Sequence, residues 1–250
     1  MGPLTNPAYY ALAGAHAGLA EVRGEARRYP AEVAPFYGLP DDPTEQDWTD
    51  AAALVGVGHT AALVRPDLPI PEIFKVDRQF DLVQLLAPES FGADAPHAPH
   101  APDASRLAPD ASRLDPDGTQ RGVEAVPLGL DDVAEMLALT ALTEPGPFRS
   151  RTIECGPYLG LRRDGALIAM GGQRFHPPGY VEISAVCTDP AYRGQGLATR
   201  LIRAISAGIQ RTGDRPFLHA SATNTNAIRL YESLGFTVSN RMKVTLIQPR

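Results

Sequence analysis

The segment that most invites chemistry is Asp189-Pro-Ala-Tyr-Arg-Gly-Gln-Gly-Leu-Ala198, between an expected strand ending at Thr188 and a helix opening near Gly196. Glycines at a strand-to-helix turn let main-chain N–H groups converge on an anion, and the helix N-terminus adds unsatisfied donors of its own. The turn therefore reads as a phosphate or pyrophosphate site. It is neither a GxxxxGK[ST] loop nor a GxGxxG turn, so ATP and NAD lose their main support. Cys155 and Cys187 are the only cysteines, and no CxxC or Cys/His pair stands at zinc spacing, so no metal and no disulfide framework are expected. Cys187 has no base beside it in sequence and reads better as a small buried residue than as a nucleophile. His176 and His219 read as a turn residue and a strand polar residue.

The elements that must hold this turn are legible around it. Val123–Leu128 reads as a strand, Asp131–Leu142 as a helix capped by acidic residues, and Tyr158–Arg163 and Ala166–Phe175 as strands joined by an Asp164-Gly165 hairpin turn. After His176-Pro-Pro-Gly179, the run Tyr180–Thr188 puts Val181, Ile183, Ala185 and Cys187 on one face and Glu182, Ser184, Val186 and Thr188 on the other. Leu197, Leu201, Ile202, Ile205 and Ile209 form a helical stripe. A strand from Phe217, a short helix from Asn226 to Leu234 stopped by Gly235, and two terminal strands follow. Upstream the signals are thinner: a weak Ala-rich helix start within 10–28, a helix over Trp48–Val57, a strand over His59–Arg65, and one or two strands over Phe74–Leu86.

Arg193-Gly-Gln-Gly-Leu-Ala198 matches the R-x-x-G-x-G/A signature of the GNAT superfamily of acyl-CoA-dependent N-acetyltransferases, and Phe217–Phe236, with its Asn before a helix carrying Tyr and ending in Gly-Phe, resembles that superfamily's second landmark. The resemblance covers 121–250, and Glu-Ile-Ser-Ala-Val-Cys-Thr188 is most similar to the glycine N-acyltransferase-like branch. It implies an α/β fold in that half, a mixed and mostly antiparallel central sheet flanked by helices. A smaller α/β half at 1–90, of supporting or degenerate GNAT-like character, is implied by the branch rather than by its own residues.

The reaction so implied moves an acetyl group directly from acetyl-CoA to a primary amine of a small molecule or amino acid. Modification of a protein, and a non-catalytic acyl-CoA sensor, are the alternatives. The chemistry needs a base for the ammonium, a donor for the thioester oxyanion and an acid for the departing thiolate. By resemblance Glu182 is the base and Tyr231 the acid. A core role for Tyr231 competes, because Ala227, Leu230, Tyr231 and Leu234 make an apolar stripe, yet a tyrosine can bury its ring and keep a usable hydroxyl. Main-chain N–H groups near Val186 and Cys187 are the expected oxyanion donors. With Thr188, Arg193, Gly194, Gln195, Gly196, Leu197 and Ala198 they make up the implied CoA contacts; Asn226 is either an N-cap or also a CoA contact. A regular hairpin through 176–179 would set Gln173 across from Glu182, where the branch commonly carries an acidic residue.

The 250 residues suit one or two domains, at about 150 residues each. Residues 91–120 read as a connector between the 1–90 and 121–250 units, with APHAPHAP and two copies of APDASRL offering prolines and almost no large apolar side chains. His97 and His100 there read as solvated. Charge is uneven: 6 basic against 13 acidic residues over 1–90, and 15 against 11 over 121–250. The net charge of −6 argues against a general nucleic-acid binder, while the basic back half suits an anionic small ligand. With no signal-peptide pattern, no apolar run near 20 residues and few cysteines, a cytoplasmic protein that does not enter a membrane is expected, with a homodimer left open.

Overall fold

The computed structural model describes residues 2–89 and 123–250; the connector expected at 91–120, with His97 and His100, lies outside the described residues. Helix α1 (Pro7–Ala13) starts on a proline at its first turn and stops at Gly14, so the Ala-rich segment yields one short helix and then the hairpin β1 (Glu21–Arg23) and β2 (Ala26–Arg28) around Gly24. Strand β3 (Phe36–Gly38) precedes α2 (Glu45–Val55). A capping box starts α2: the Thr44 hydroxyl accepts from the Asp47 amide while the Asp47 carboxylate accepts from the Thr44 amide. Strands β4 (Ala61–Arg65) and β5 (Phe74–Leu86) follow, the latter unbroken where one or two strands were expected.

Past the connector come β6 (Val123–Leu128), α3 (Val133–Thr143), β7 (Tyr158–Arg163), β8 (Ala166–Gln173) and β9 (Tyr180–Thr188). Asp164 and Gly165 turn the β7–β8 hairpin at φ 52° and 82°. Helix α4 (Leu197–Arg211) buries the whole expected stripe from Leu197 to Ile209 against β8 and β9. Strand β10 (Arg215–Ser221), α5 (Thr225–Ser233) and β11 (Thr237–Pro249) complete the described chain, with one long terminal strand in place of two.

All of these strands form one sheet in the order β1-β2-β3-β4-β11-β5-β10-β9-β8-β7-β6. Neighbours are antiparallel except β3–β4 and β9–β10, giving the mixed, mostly antiparallel sheet that the sequence implied. The stretches read as two units share it. Strand β5 pairs with β11 along its full length and with β10 over Leu82–Leu86. Strands β9 and β10 pair only from Tyr180/Arg215 to Glu182/Phe217 and then separate, so the sheet opens into a cleft at their C-terminal ends.

Two register expectations are corrected. Arg174, not Gln173, lies across from Glu182: the Arg174 amide donates to the Glu182 carbonyl at 3.0 Å and the Glu182 amide to the Phe175 carbonyl at 2.8 Å. The turn closes by the Tyr180 amide donating to the Pro177 carbonyl at 3.0 Å, with Gly179 at φ 78°, and Arg174 and Phe175 together face Glu182, an extra residue that shifts the pairing by one. Alternation along β9 also fails at Ala185, which sits at φ 54°, where Gly171 stands opposite both Ala185 and Val186. This β-bulge turns Ala185 and Cys187 away from α4, which Val181 and Ile183 touch, and packs them with Met136 and Leu139 of α3.

The two stretches also meet through an aromatic cluster. His16 Nδ1 lies 2.8 Å from the Tyr29 hydroxyl, and the His16 ring is 4.8 Å from that of His176, whose Nε2 is buried without a partner. Burial, joined by the nearby His176, lowers the His16 pKa to about 4, and burial lowers that of His176. Both rings fold neutral. Unfolded histidine titrates near 6.5, so this stability is present above about pH 6.5 and is lost as pH falls towards 4, amounting to about 3 kcal/mol for His16. Melting temperature followed from pH 7 to 4 should fall steeply in the wild type and less in His16→Gln; equal slopes would rule out the cluster as the origin.

Candidate functional site

The turn after β9 is built as its glycines demand. Gly194 and Gly196 adopt φ 74° and 75°, and a Cβ on either would meet open space, so it is the backbone conformation that calls for glycine. Gly196 caps α4 with no side chain bonded to the helix end and no acidic residue in its first turn. The Gly196 carbonyl receives the Arg200 amide, while the amides of the opening turn have no intrahelical acceptor. Arg193 sits on the same turn. A basic side chain and free N–H groups at a positive helix end together form an anion cradle.

This cradle opens into a cleft of about 1030 Å³ that runs through the gap between β9 and β10. Val186, Cys187 and Thr188 form one wall, with Arg193, Gly194, Gln195, Gly196, Leu197 and Ala198 at the cradle; His219, Asn224 and Tyr231 line it from β10 and α5. The bulge leaves one residue of β9 outside the ladder beside that wall, a source of main-chain donors where an oxyanion would sit. Cys187 is a free, buried thiol that burial pushes upward in pKa. Neither feature favours a thiolate.

Glu182 does not line the cleft. It is fully buried, and its carboxylate accepts from Arg174 Nε at 2.8 Å and Nη2 at 2.7 Å, and from His219 Nδ1 at 2.7 Å. Burial alone would raise its pKa, but the Arg174 charge and the bonds from His219 and Arg174 outweigh it and hold the carboxyl down at about 2. The group is ionised at any working pH and too weakly basic to keep a proton there. Arg174 is itself gripped, its guanidinium 4.8 Å from the ring centres of both Phe36 and Phe175. His219 separates the carboxylate from the cleft. Its Nε2 lies 3.0 Å from the Gln84 amide nitrogen, which also donates to the Leu4 carbonyl; the Gln84 oxygen accepts from Asn240. That pattern assigns a neutral ring with its proton on Nδ1, towards Glu182.

Tyr231 combines the two readings that competed in sequence. Its ring packs against the core around Leu234 and Phe236, and it also lines the cleft. Burial raises its pKa to about 12, so the phenol keeps its proton. The N-cap expectation for Asn226 is corrected: Asn224 is the cap, its side-chain oxygen accepting from the Ala227 amide at 3.1 Å. The cap stands two residues earlier than expected, which leaves Asn226 exposed inside the first turn of α5 and off the cleft wall. Asn224 and Asn226 stand two positions apart, and only the start of the helix separates them.

Sequence reasoning also missed Arg174 and His219, which become visible only when β8 and β10 are paired with β9. It missed the far wall as well, where Phe36, Val64 and Leu82 come from the first 90 residues. Among the described residues, no group of three or more His, Cys, Asp or Glu could hold a metal, and no helix is long and apolar enough to cross a membrane.

A family profile described as FR47-like protein matches residues 158–244. A solved structure from Novosphingobium aromaticivorans, assigned to the GNAT family, is 36% identical with a TM-score of 0.78, covering 100% of both chains. The N-alpha-acetyltransferase RimI of Mycobacterium tuberculosis is 34% identical over 82 residues, 32% of this chain and 51% of that protein. A mycothiol acetyltransferase of Thermomonospora curvata is 39% identical over 79 residues, 30% of this chain and 26% of that protein. The chain thus spans about half or less of the length of these curated relatives.

Proposed function

Because the chain belongs to the GNAT family of acetyltransferases, we propose that it transfers an acetyl group from acetyl-CoA to a primary amine, by direct attack of the amine on the thioester. The observation that carries this is the continuity of one cleft from the Gly194–Gly196 cradle, past the bulge at Val186, to Tyr231 and His219. The cradle suits the CoA pyrophosphate, and the bulge places main-chain donors by the thioester carbonyl. As the C–N bond forms and the C–S bond breaks, Tyr231 gives its proton to the departing sulfur.

On the base side, Glu182 acts as the anion and His219 stands between it and the amine. The ammonium proton passes to His219 Nε2, which gives up its contact with Gln84, and Glu182 stabilises the imidazolium through Nδ1. The finer placement in the glycine N-acyltransferase-like branch is part of this reading and rests on the Glu182–Thr188 run. So is a reducing, cytoplasmic setting, supported by two free thiols at Cys155 and Cys187.

Thiol release from acetyl-CoA, followed across a panel of primary amines, tests the activity: amine-dependent release supports it, and none with any amine would sink it. The cradle is tested separately. A β-branched residue at the positive φ of Gly196 is strained by about 1–2 kcal/mol and displaces the first-turn amides. Gly196→Val should therefore weaken CoA binding at least tenfold by calorimetry in a protein that still folds. Unchanged affinity would remove the cradle from the CoA site.

A further inference from the structure

Beyond Tyr231 and His219 the cleft does not end; it runs onto an open sheet face. Phe36 of β3, Val64 of β4, Val244 and Leu246 of β11, and Phe80 and Leu82 of β5 all line it. Register makes them neighbours on one surface: Val244 pairs with Val64 on one side and Phe80 on the other, while Leu82 pairs with Met242 one step along. Phe36 and Val64 are buried in a cluster that includes Ala8, Ala11 and Leu12 of α1, while Phe80 is 39% exposed and Leu82, Val244 and Leu246 are only partly buried, so the open part of this floor lies along β5 and β11. The charged side chains on the cleft wall are mostly guanidinium groups, Arg149, Arg174 and Arg193, of which Arg174 is already paired with Glu182. The single carboxylate among the described lining residues is Glu144, an exposed residue just after α3. Glu182 is spent on Arg174 and His219.

We propose that the acceptor is a primary monoamine with an apolar body, aliphatic or aromatic, which lies on the floor formed by β3, β4, β11 and β5 while its nitrogen reaches the thioester. The proposal rests on the acetyl-transfer reading above and adds the substrate class to it. A second ammonium on the acceptor would be set down on apolar side chains with water partly excluded, and the single carboxylate among the described lining residues, Glu144, is not part of that floor. Polyamines and other polycations are excluded on that ground. Apolar groups instead gain with each methylene that covers the floor, about fourfold in affinity apiece. The floor comes largely from the first 90 residues, which gives that half of the chain a role in choosing the acceptor.

The test compares a series of straight-chain alkylamines, propyl to hexyl, with α,ω-diaminoalkanes of matched length, by thiol release from saturating acetyl-CoA. Expected results are a kcat/KM that climbs severalfold per methylene for the monoamines and lies at least tenfold lower for each matched diamine. Phe80→Glu, at an exposed position, should narrow or reverse that preference by lowering the monoamines and raising the diamines, with acetyl-CoA affinity unchanged by calorimetry. If acetyl-CoA binds but diamines match the monoamines, chain length has no effect, or no alkylamine is turned over, the inference is overturned while the CoA site stands. If acetyl-CoA itself does not bind, the acetyl-transfer reading falls and takes the inference with it.

Discussion

Glu182→Gln should lower the stability of the protein by about 3–5 kcal/mol, because the substitution leaves Arg174 as an uncompensated buried charge. The Arg174 side chain is 11% exposed and packs over the rings of Phe36 and Phe175, so it recovers little hydration in place. The same change takes the anion from His219 Nδ1 and should slow acetyl transfer at neutral pH, with partial recovery as rising pH deprotonates the amine unaided. Stability and chemistry are separable. Replacing the pair together, as Glu182→Leu with Arg174→Met, removes both buried charges and should restore much of the lost stability without restoring the rate. Urea melts and pH-rate profiles of the three proteins decide the matter. A Glu182→Gln protein as stable as the wild type would show that the ion pair is not holding the site, and a fully active double variant would remove Glu182 from the base side.

Tyr231→Phe should reduce acetyl transfer by about 10- to 1000-fold, if general-acid assistance has its usual worth. Its hydroxyl keeps its proton up to a pKa of about 12, so over the range in which amines deprotonate the wild-type acid is always armed. The deficit in the variant should therefore stay nearly constant with pH, unlike that of Glu182→Gln. The phenylalanine ring fills the same space against Leu234 and Phe236, so melting temperature and acetyl-CoA affinity should hardly move. An unchanged rate with the ring retained would leave Tyr231 as a core aromatic, and the leaving thiolate would have to find its proton elsewhere.

The parts of the protein that local periodicity controls were readable, and those set by pairing across the sheet were not. The β9 boundaries, the α4 stripe and the glycine turn each follow from residues within a few positions of one another, and each stands where the sequence put it. The bulge at Ala185 depends on a one-residue excess of β9 over β8, and alternation alone cannot register it. The Gln173 expectation failed for a related reason: regular pairing was assumed next to the turn, where Arg174 and Phe175 together face Glu182. Arg174 carried no signal of its own and His219 read only as a strand polar residue, because their meaning comes from Glu182, which β8 and β10 approach from opposite sides. Even less visible was the position of β5, whose partners lie more than a hundred residues away.

That position has a consequence for how the chain is made. On the ribosome β5 emerges long before β10 and β11, so both of its edges stay bare while the rest of the polypeptide is synthesised. Such an order defers the rewarding contacts and leaves an aggregation-prone intermediate. Lys75, Asp77, Arg78 and Asp81 put charge along the portion that β10 never covers, which discourages a second nascent chain from adding there. Cutting the chain between the two stretches would not release two self-sufficient pieces. The C-terminal fragment would carry a sheet with a slot between β10 and β11, and the N-terminal fragment the strand that fills it; mixed in solution, the two should dock by strand exchange and regain activity only as a complex.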